Sequence, residues 1–296
     1  MNYPTCYWYY PKLPAWQITI TKPIWCCGKG LHSGKNSRVR LLPAEPNTGI
    51  VFHAMNGEDI LGTVPAEVQY AVNGQFRTVL ASNGIVIETT EHLLAAVRAS
   101  GITNLVIQVW GNEIPIHNGN AQDWRFLILA SGTTEQTVTA RTIHVTKPVR
   151  VGTHDAWCQL TPAATSQWSY DLHYDHPLLS RQSSRFDLDR DDFDSELAAA
   201  KTFGFLEDWE YLLTNGLGLG ADCSNTLVFD QKILLNEGGM TWPNEPARHK
   251  LVDAMGDLSL AGAAIMGHFH GHRSGHALNH QILTKLLSDK SAWHWG

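Results

Sequence analysis

The sequence predicts an α+β protein built of two similar layered units that face one another. Three observations predict it. Strand-like runs followed by a helix with a histidine near its start occur twice, once at His92 and once at His249. Between them lies a polar, aperiodic stretch, Ser131 to Gln136, of the kind that joins domains. A chain of 296 residues is long enough for one large core or two modest ones. Residues 17–131 are therefore expected to form a first domain and 137–296 a second, after an N-terminal extension over 1–16. No residue-level repeat accompanies this likeness.

In chain order, Gln17 to Thr21 alternates and is β-prone, and it leads into Gly28 to Gly34, too glycine-rich for a helix. That turn's GxG is followed by no P-loop Lys-Ser/Thr and opens no helix, so a dinucleotide fingerprint is set aside. Ser37 to Leu42 and Ile50 to His53 read as a hairpin, and Thr78 to Leu80 and Gly84 to Glu88 as further strands. Thr89-Thr90-Glu91-His92 starts a helical pattern running to Val97, with a threonine suited to capping. Asn104 to Trp110 is a strand, Glu113 to Asn120 a loop, and Trp124 to Ala130 a short helix. Beyond the linker come strands at Thr142 to Val145, Trp157 to Leu160 and Tyr170 to Tyr174, then a turn at His176-Pro177. An acidic helix over Asp191 to Ala200, a loop at Thr202 to Phe205 and a helix over Glu207 to Thr214 follow. Strand Thr226 to Phe229 and the arm Ile233 to Asn236 lead to the second histidine-bearing helix.

Composition narrows the function. The hydrophobic fraction of 43% belongs to a globular protein, and no run approaches the roughly 20 apolar residues of a membrane span. Met1 to Trp16 has neither a charged n-region nor an apolar core, so it does not read as a signal peptide. Five cysteines, none at C-x-x-C spacing, indicate neither a disulfide framework nor a thiolate zinc site, and a cytoplasmic setting is expected. The formal charge of -6 argues against a nucleic-acid partner but allows a local basic pocket for an anionic small molecule.

The chemistry gathers on Arg248 to Leu258. At 3.6 residues per turn His249, Asp253 and Asp257 rise along one polar stripe, while Leu251, Val252, Met255 and Leu258 can face a core. An imidazole and a carboxylate one turn apart reach one divalent ion, although H-x-x-x-D also arises by accident on solvent-facing helices. His92 is the natural third ligand, and a His/His/Asp set leaves the fourth position of a tetrahedral zinc for water. Glu91 beside it could take that water's proton; the bland reading is an acidic residue favouring a helix N-terminus. His276, flanked by small residues, could be a general acid if Asp257 accepts its hydrogen bond, or one more of fifteen histidines.

At this point the chain, from about Gln17 to Lys285, resembles the zinc-dependent UDP-3-O-acyl-N-acetylglucosamine deacetylases of lipid A biosynthesis. The resemblance rests on eight motifs in order: Gly30 to Gly34, Thr90 to Leu93, Glu113 to Ile116, Asp175 to Pro177, Lys201 to Phe205, Leu235 to Glu237, Arg248 to Lys250 with Asp253 and Gly256-Asp257, and Gly267 to Phe269 with Ser274 to Asn279. It implies that His92, His249 and Asp253 bind Zn2+, that Glu91 is the general base, and that His276 is the general acid, oriented by Asp257. It further implies that Thr202 steadies the oxyanion, Phe203 lines the sugar site, Lys250 is the active-site lysine and Arg273 meets the nucleotide diphosphate. The implied substrate is a UDP-linked acylated glucosamine. The implied fold is two domains with the site between them, and a monomer is expected. An insertion forming an apolar passage for the fatty chain is expected around Val149 to Trp168. Asn118, Asn120 and Lys201 depart from the family pattern, which bears on efficiency and substrate detail. The competing class is a non-catalytic zinc protein of the same fold that binds a nucleotide sugar; it would have no need of Glu91, Asp257 and His276.

Overall fold

The computed structural model describes residues 15–296, so the extension expected over 1–16 lies outside the described residues as far as residue 14, and Trp16 already opens a strand. The chain begins β1 (Trp16–Ile20), β2 (Ile24–Lys29), β3 (Asn36–Leu42), β4 (Ile50–Asn56) and β5 (Asp59–Pro65). Next come β6 (Ala71–Val72), β7 (Val79–Ser82), β8 (Ile85–Glu88), α1 (Glu91–Ala99), β9 (Leu105–Trp110), α2 (Gln122–Ser131) and β10 (Thr133–Thr139). A five-stranded sheet, ordered β2-β3-β9-β4-β5, turns Val39, Leu41, Phe52, Leu105 and Ile107 inward, as the alternation of these strands dictates. Strands β6-β7-β8 form a smaller sheet that ends at the foot of α1.

The remainder holds β11 (Thr142–Val145), β12 (Val149–Gly152), β13 (Trp157–Thr161), β14 (Ser166–Leu172), β15 (Gln182–Asp187) and α3 (Phe193–Glu196). It continues with β16 (Phe203–Phe205), α4 (Trp209–Thr214), β17 (Leu227–Asp230), β18 (Ile233–Leu234), α5 (Glu245–Leu258), β19 (Ala264–His272), α6 (His276–Ser288) and β20 (Trp293–Trp295). Strand β19 organises a seven-stranded sheet, pairing in parallel with β11 and β14 and antiparallel with β13. Ile265 and Phe269 point from it into the core, and α5 and α6 pack on the sheet. Helix α5 also packs on α1. The result is a mixed α/β protein of five sheets and six α-helices among the described residues, as the α+β expectation requires.

Several local expectations are corrected. Ser131 to Gln136 is not a structureless linker: Thr133–Thr139 is β10, paired antiparallel with β1. Its threonines and glutamate lie exposed on a two-stranded ribbon, so burial imposed no apolar alternation. The acidic helix is only Phe193–Glu196; Asp192 caps it, accepting from the N–H groups of Asp194 and Ser195, and Leu197 leaves helical geometry. Thr202 to Phe205 is not all loop, because Phe203–Phe205 pairs in parallel with β17. The insertion expected over Val149 to Trp168 is instead β12, β13 and the start of β14, in the main sheet's register. A separate unit, β16 and β17 in parallel with α4 between them and then β18, spans residues 203–234.

Candidate active site

The site forms where the N-terminal end of α1 meets the middle of α5. Thr90 stands at the N-cap position of α1 but caps nothing: its backbone is helical, and its buried hydroxyl has no partner among the described residues. Thr89, at φ +59°, turns its own hydroxyl to Glu113 Oε1 at 2.9 Å. That carboxylate also accepts from the N–H groups of His32 and Ser33, both at 2.8 Å, and so ties the glycine-rich turn to the start of α1.

His92 on α1 faces His249 and Asp253 on α5, and one donor atom from each lies within 4.8 Å of the others. Asp253 Oδ1 is 3.5 Å from His92 Nε2 and 3.2 Å from His249 Nε2. The tautomer of His249 follows from its other nitrogen. Nδ1 donates to the Ala200 carbonyl at 2.9 Å, which leaves the Nε2 lone pair directed at Asp253. Lys250 Nζ occupies Asp253 Oδ2 at 2.7 Å, so Oδ1 is the oxygen free to face the imidazoles. Burial holds the His92 imidazole below its ordinary pKa despite its bond to Asp253. Burial would raise Asp253, but His249 and Lys250 keep its carboxylate well below the usual range. Two imidazole nitrogens converging on one carboxylate oxygen, all buried, fit a borderline cation such as Zn2+.

Glu91 lies beside this set and accepts from the Thr78 N–H at 3.1 Å. Burial, reinforced by Asp253 and Asp257 and opposed by His276, raises its pKa to about 7. His276 opens α6 and donates Nδ1–H to Asp257 Oδ2 at 2.8 Å. Its Nε2 lies 4.0 Å from Asp253 Oδ2, on the side of the donor set. Burial pulls the His276 pKa down, but the Asp257 carboxylate outweighs it and the net value rises to about 9. Asp257 itself is fully buried and held well below the usual carboxylate range by His276 and His280, against the pull of burial.

The remaining predicted residues flank this centre. Lys250 Nζ lies over the Phe203 ring, 5.5 Å from its centroid, and the same ring stands 6.5 Å from that of His249. Thr202 exchanges backbone hydrogen bonds with Gly119 and Leu227, both at 2.8 Å, and its half-buried hydroxyl has no partner among the described residues. Arg273, at φ +50° on the turn before α6, is exposed, and its guanidinium likewise has no partner among them. Of the departing residues, Asn120 Oδ1 accepts from the Gln122 N–H at 3.1 Å at the start of α2, and Asn118 bonds Asp123. Lys201 Nζ donates to the Ser224 carbonyl at 2.7 Å.

Sequence reasoning missed Thr78, Asn279 and His280. Asn279 Nδ2 donates to Asp257 Oδ2 at 2.9 Å, and a helix starting at His276 would have placed it on the same face. Thr78 carried no signal beyond a strand-like run.

A buried cluster that gathers metal-type donors, a carboxyl of raised pKa and a carboxylate-held imidazolium on an α+β frame has the outline of a metallohydrolase centre. The comparisons make this particular. The profile of the family described as UDP-3-O-acyl N-acetylglycosamine deacetylase matches residues 17–288, and the chain belongs to that family. It is 39% identical over 283 residues to the UDP-3-O-acyl-N-acetylglucosamine deacetylase of Acidithiobacillus ferrooxidans, covering 94% of this chain and 92% of that protein. It is 40% identical over 270 residues to the enzyme of Oleidesulfovibrio alaskensis (91% and 88% covered) and 36% identical over 281 to that of Xanthomonas campestris pv. campestris (94% and 92%).

Proposed function

We propose that this protein removes the N-acetyl group of UDP-3-O-acyl-N-acetylglucosamine, giving acetate and the free 2-amino sugar in lipid A biosynthesis. The observation that carries the reading is the meeting of His92 with His249 and Asp253, with Glu91 and His276 beside them. In this reading Zn2+ held by those three side chains supplies Lewis acidity and makes water nucleophilic near neutral pH. Glu91 takes the proton of the attacking water, and its pKa of about 7 suits a base at that pH. As the carbon–oxygen bond forms, the Thr202 hydroxyl donates to the developing oxyanion. His276 then gives its Nε2 proton to the amine as the carbon–nitrogen bond breaks, because Asp257 keeps hold of Nδ1–H.

Lys250 orients Asp253, Phe203 lines the sugar site and Arg273 offers its guanidinium to the diphosphate. The fatty chain runs along the unit over 203–234, where Leu206, Trp209, Tyr211 and Leu213 are exposed. Residues 17–131 and 137–296 are read as two domains, with β10 fastened to the first. Among the described residues no helix is long and apolar enough to cross a membrane, and a cytoplasmic monomer is proposed. No observation favours a non-catalytic binder. The test is acetate release from the UDP-sugar, abolished by a chelator and restored by Zn2+ at about one ion per chain. Release that survives complete metal removal would refute the reading.

A further inference from the structure

We propose that Thr78 is a positioning residue that joins the base of the site to the carboxylate orienting its acid; this rests on the roles given above to Glu91, Asp257 and His276. Thr78 is fully buried just before β7 and uses every polar group it has. Its N–H donates to Glu91 Oε2 at 3.1 Å, and its carbonyl accepts from the Thr89 N–H at 2.9 Å, two residues before α1. The main chain of Thr78 is thereby fixed to the N-terminal end of the helix that carries Glu91 and His92. Its hydroxyl reaches across to α5 and donates to Asp257 Oδ1.

His276 and Asn279 both donate to Asp257 Oδ2, from α6, so on Oδ1 the nearest donor is the Thr78 hydroxyl, with His280 standing further off. His280 Nε2 stands 3.5 Å from Oδ1 and 3.2 Å from the Thr78 hydroxyl, close enough to claim the carboxylate oxygen if the hydroxyl were gone. Asp257 would then swing toward His280, and the His276 ring it steers would turn with it. The hydroxyl therefore keeps Asp257 aligned on His276 while the backbone of the same residue keeps Glu91 in place. A buried carboxylate that aims a catalytic imidazole is worth holding from both sides.

The experiment compares Thr78→Val, Thr78→Ala and Thr78→Ser in the metal-loaded full chain, with Glu91→Gln and His276→Ala beside them, measuring kcat, KM, metal content and thermal midpoint. Thr78→Val should lower kcat about 10- to 100-fold, as loss of a supporting partner does, with KM and metal content unchanged, and Thr78→Ser should recover most of it. If the valine protein does not fold, the alanine and serine proteins carry the same comparison. Wild-type kcat in the hydroxyl-free variants beside inactive Glu91→Gln and His276→Ala would overturn the role of Thr78 and leave the rest standing. Parallel falls in KM, metal content and thermal midpoint, or no recovery with serine, would overturn it in favour of a structural role. Active Glu91→Gln or His276→Ala would overturn the base and acid assignments and this proposal together.

Discussion

Gly256 on α5 lies directly against the backbone of Glu91 on α1: a Cβ at Gly256 would stand 2.0 Å from the Glu91 carbonyl oxygen and 2.7 Å from its carbon. The two helices that carry the donor set thus touch main chain to main chain, one residue from Asp257 and at Glu91 itself. Gly256→Ala must push α1 away, since a carbonyl cannot rotate aside as a flexible side chain can. It should cost about 1–3 kcal/mol in denaturant unfolding, as overpacking does. It should also weaken metal retention, because His92 moves with α1 while His249 and Asp253 stay. Unchanged metal content would mean that the helices slide without parting.

The rate should follow a bell in pH. In the proposed roles Glu91 must be carboxylate, so activity should rise as pH passes about 7, and His276 must be imidazolium, so activity should fall as pH passes about 9. Glu91→Gln should remove the acidic limb and His276→Ala the basic one, each with kcat lowered on the order of 100-fold or more. A His276→Ala protein with near-normal kcat would end its assignment as proton donor.

Glu91 should also be a source of instability in metal-free protein. Its folded pKa of about 7 lies above the ordinary 4.5, so the folded state binds the proton more tightly. The stabilisation this gives is complete below pH 4.5 and is lost as pH rises through 7. Glu91→Gln has no such loss, and at pH 8 the metal-free variant should be the more stable by on the order of 3 kcal/mol, from a difference of about 2.5 pH units. Equal urea midpoints at pH 8 would contradict this.

Glu113 should matter for stability more than for chemistry. Burial would raise its pKa, yet the N–H groups of His32 and Ser33 and the Thr89 hydroxyl bring it below the ordinary value. The sign is opposite to that of Glu91: the contribution is present above the ordinary carboxylate pKa and lost as pH falls. Glu113→Ala orphans these donors at about 1–3 kcal/mol for each that stays buried, a loss that a thermal melt at pH 7 would register.

The sequence made α5 readable because His249, Asp253 and Asp257 recur every fourth residue, and α1 because a strong helical pattern begins at Glu91. Strand β19 was hidden: Gly267 to His272 alternates histidine with glycine and phenylalanine, and read as a histidine-rich tail it gave no reason to expect Phe269 in the core. Strand β16 was hidden for a different reason. Its three residues become a strand only by pairing with β17, more than twenty residues further on, a contact that no local pattern encodes. The acidic helix stopped short because Ala198 and Ala200 have other work: their carbonyls accept from the Ala121 N–H and from His249. Within the site, the His249 and Asp253 pair was legible from its spacing and His92 from its place near the start of the other helix, whereas Thr78 depended on where a strand end meets two helices.

The carbonyl that fixes the His249 tautomer belongs to Ala200, two and three residues ahead of Thr202 and Phe203. On the proposed function, metal capture and sugar contact are thereby threaded on one short piece of backbone. A variant chosen only to reshape the aromatic wall around Phe203 will for this reason change how firmly the ion is gripped, and an inhibitor that presses on that wall will be felt at the ligand behind it.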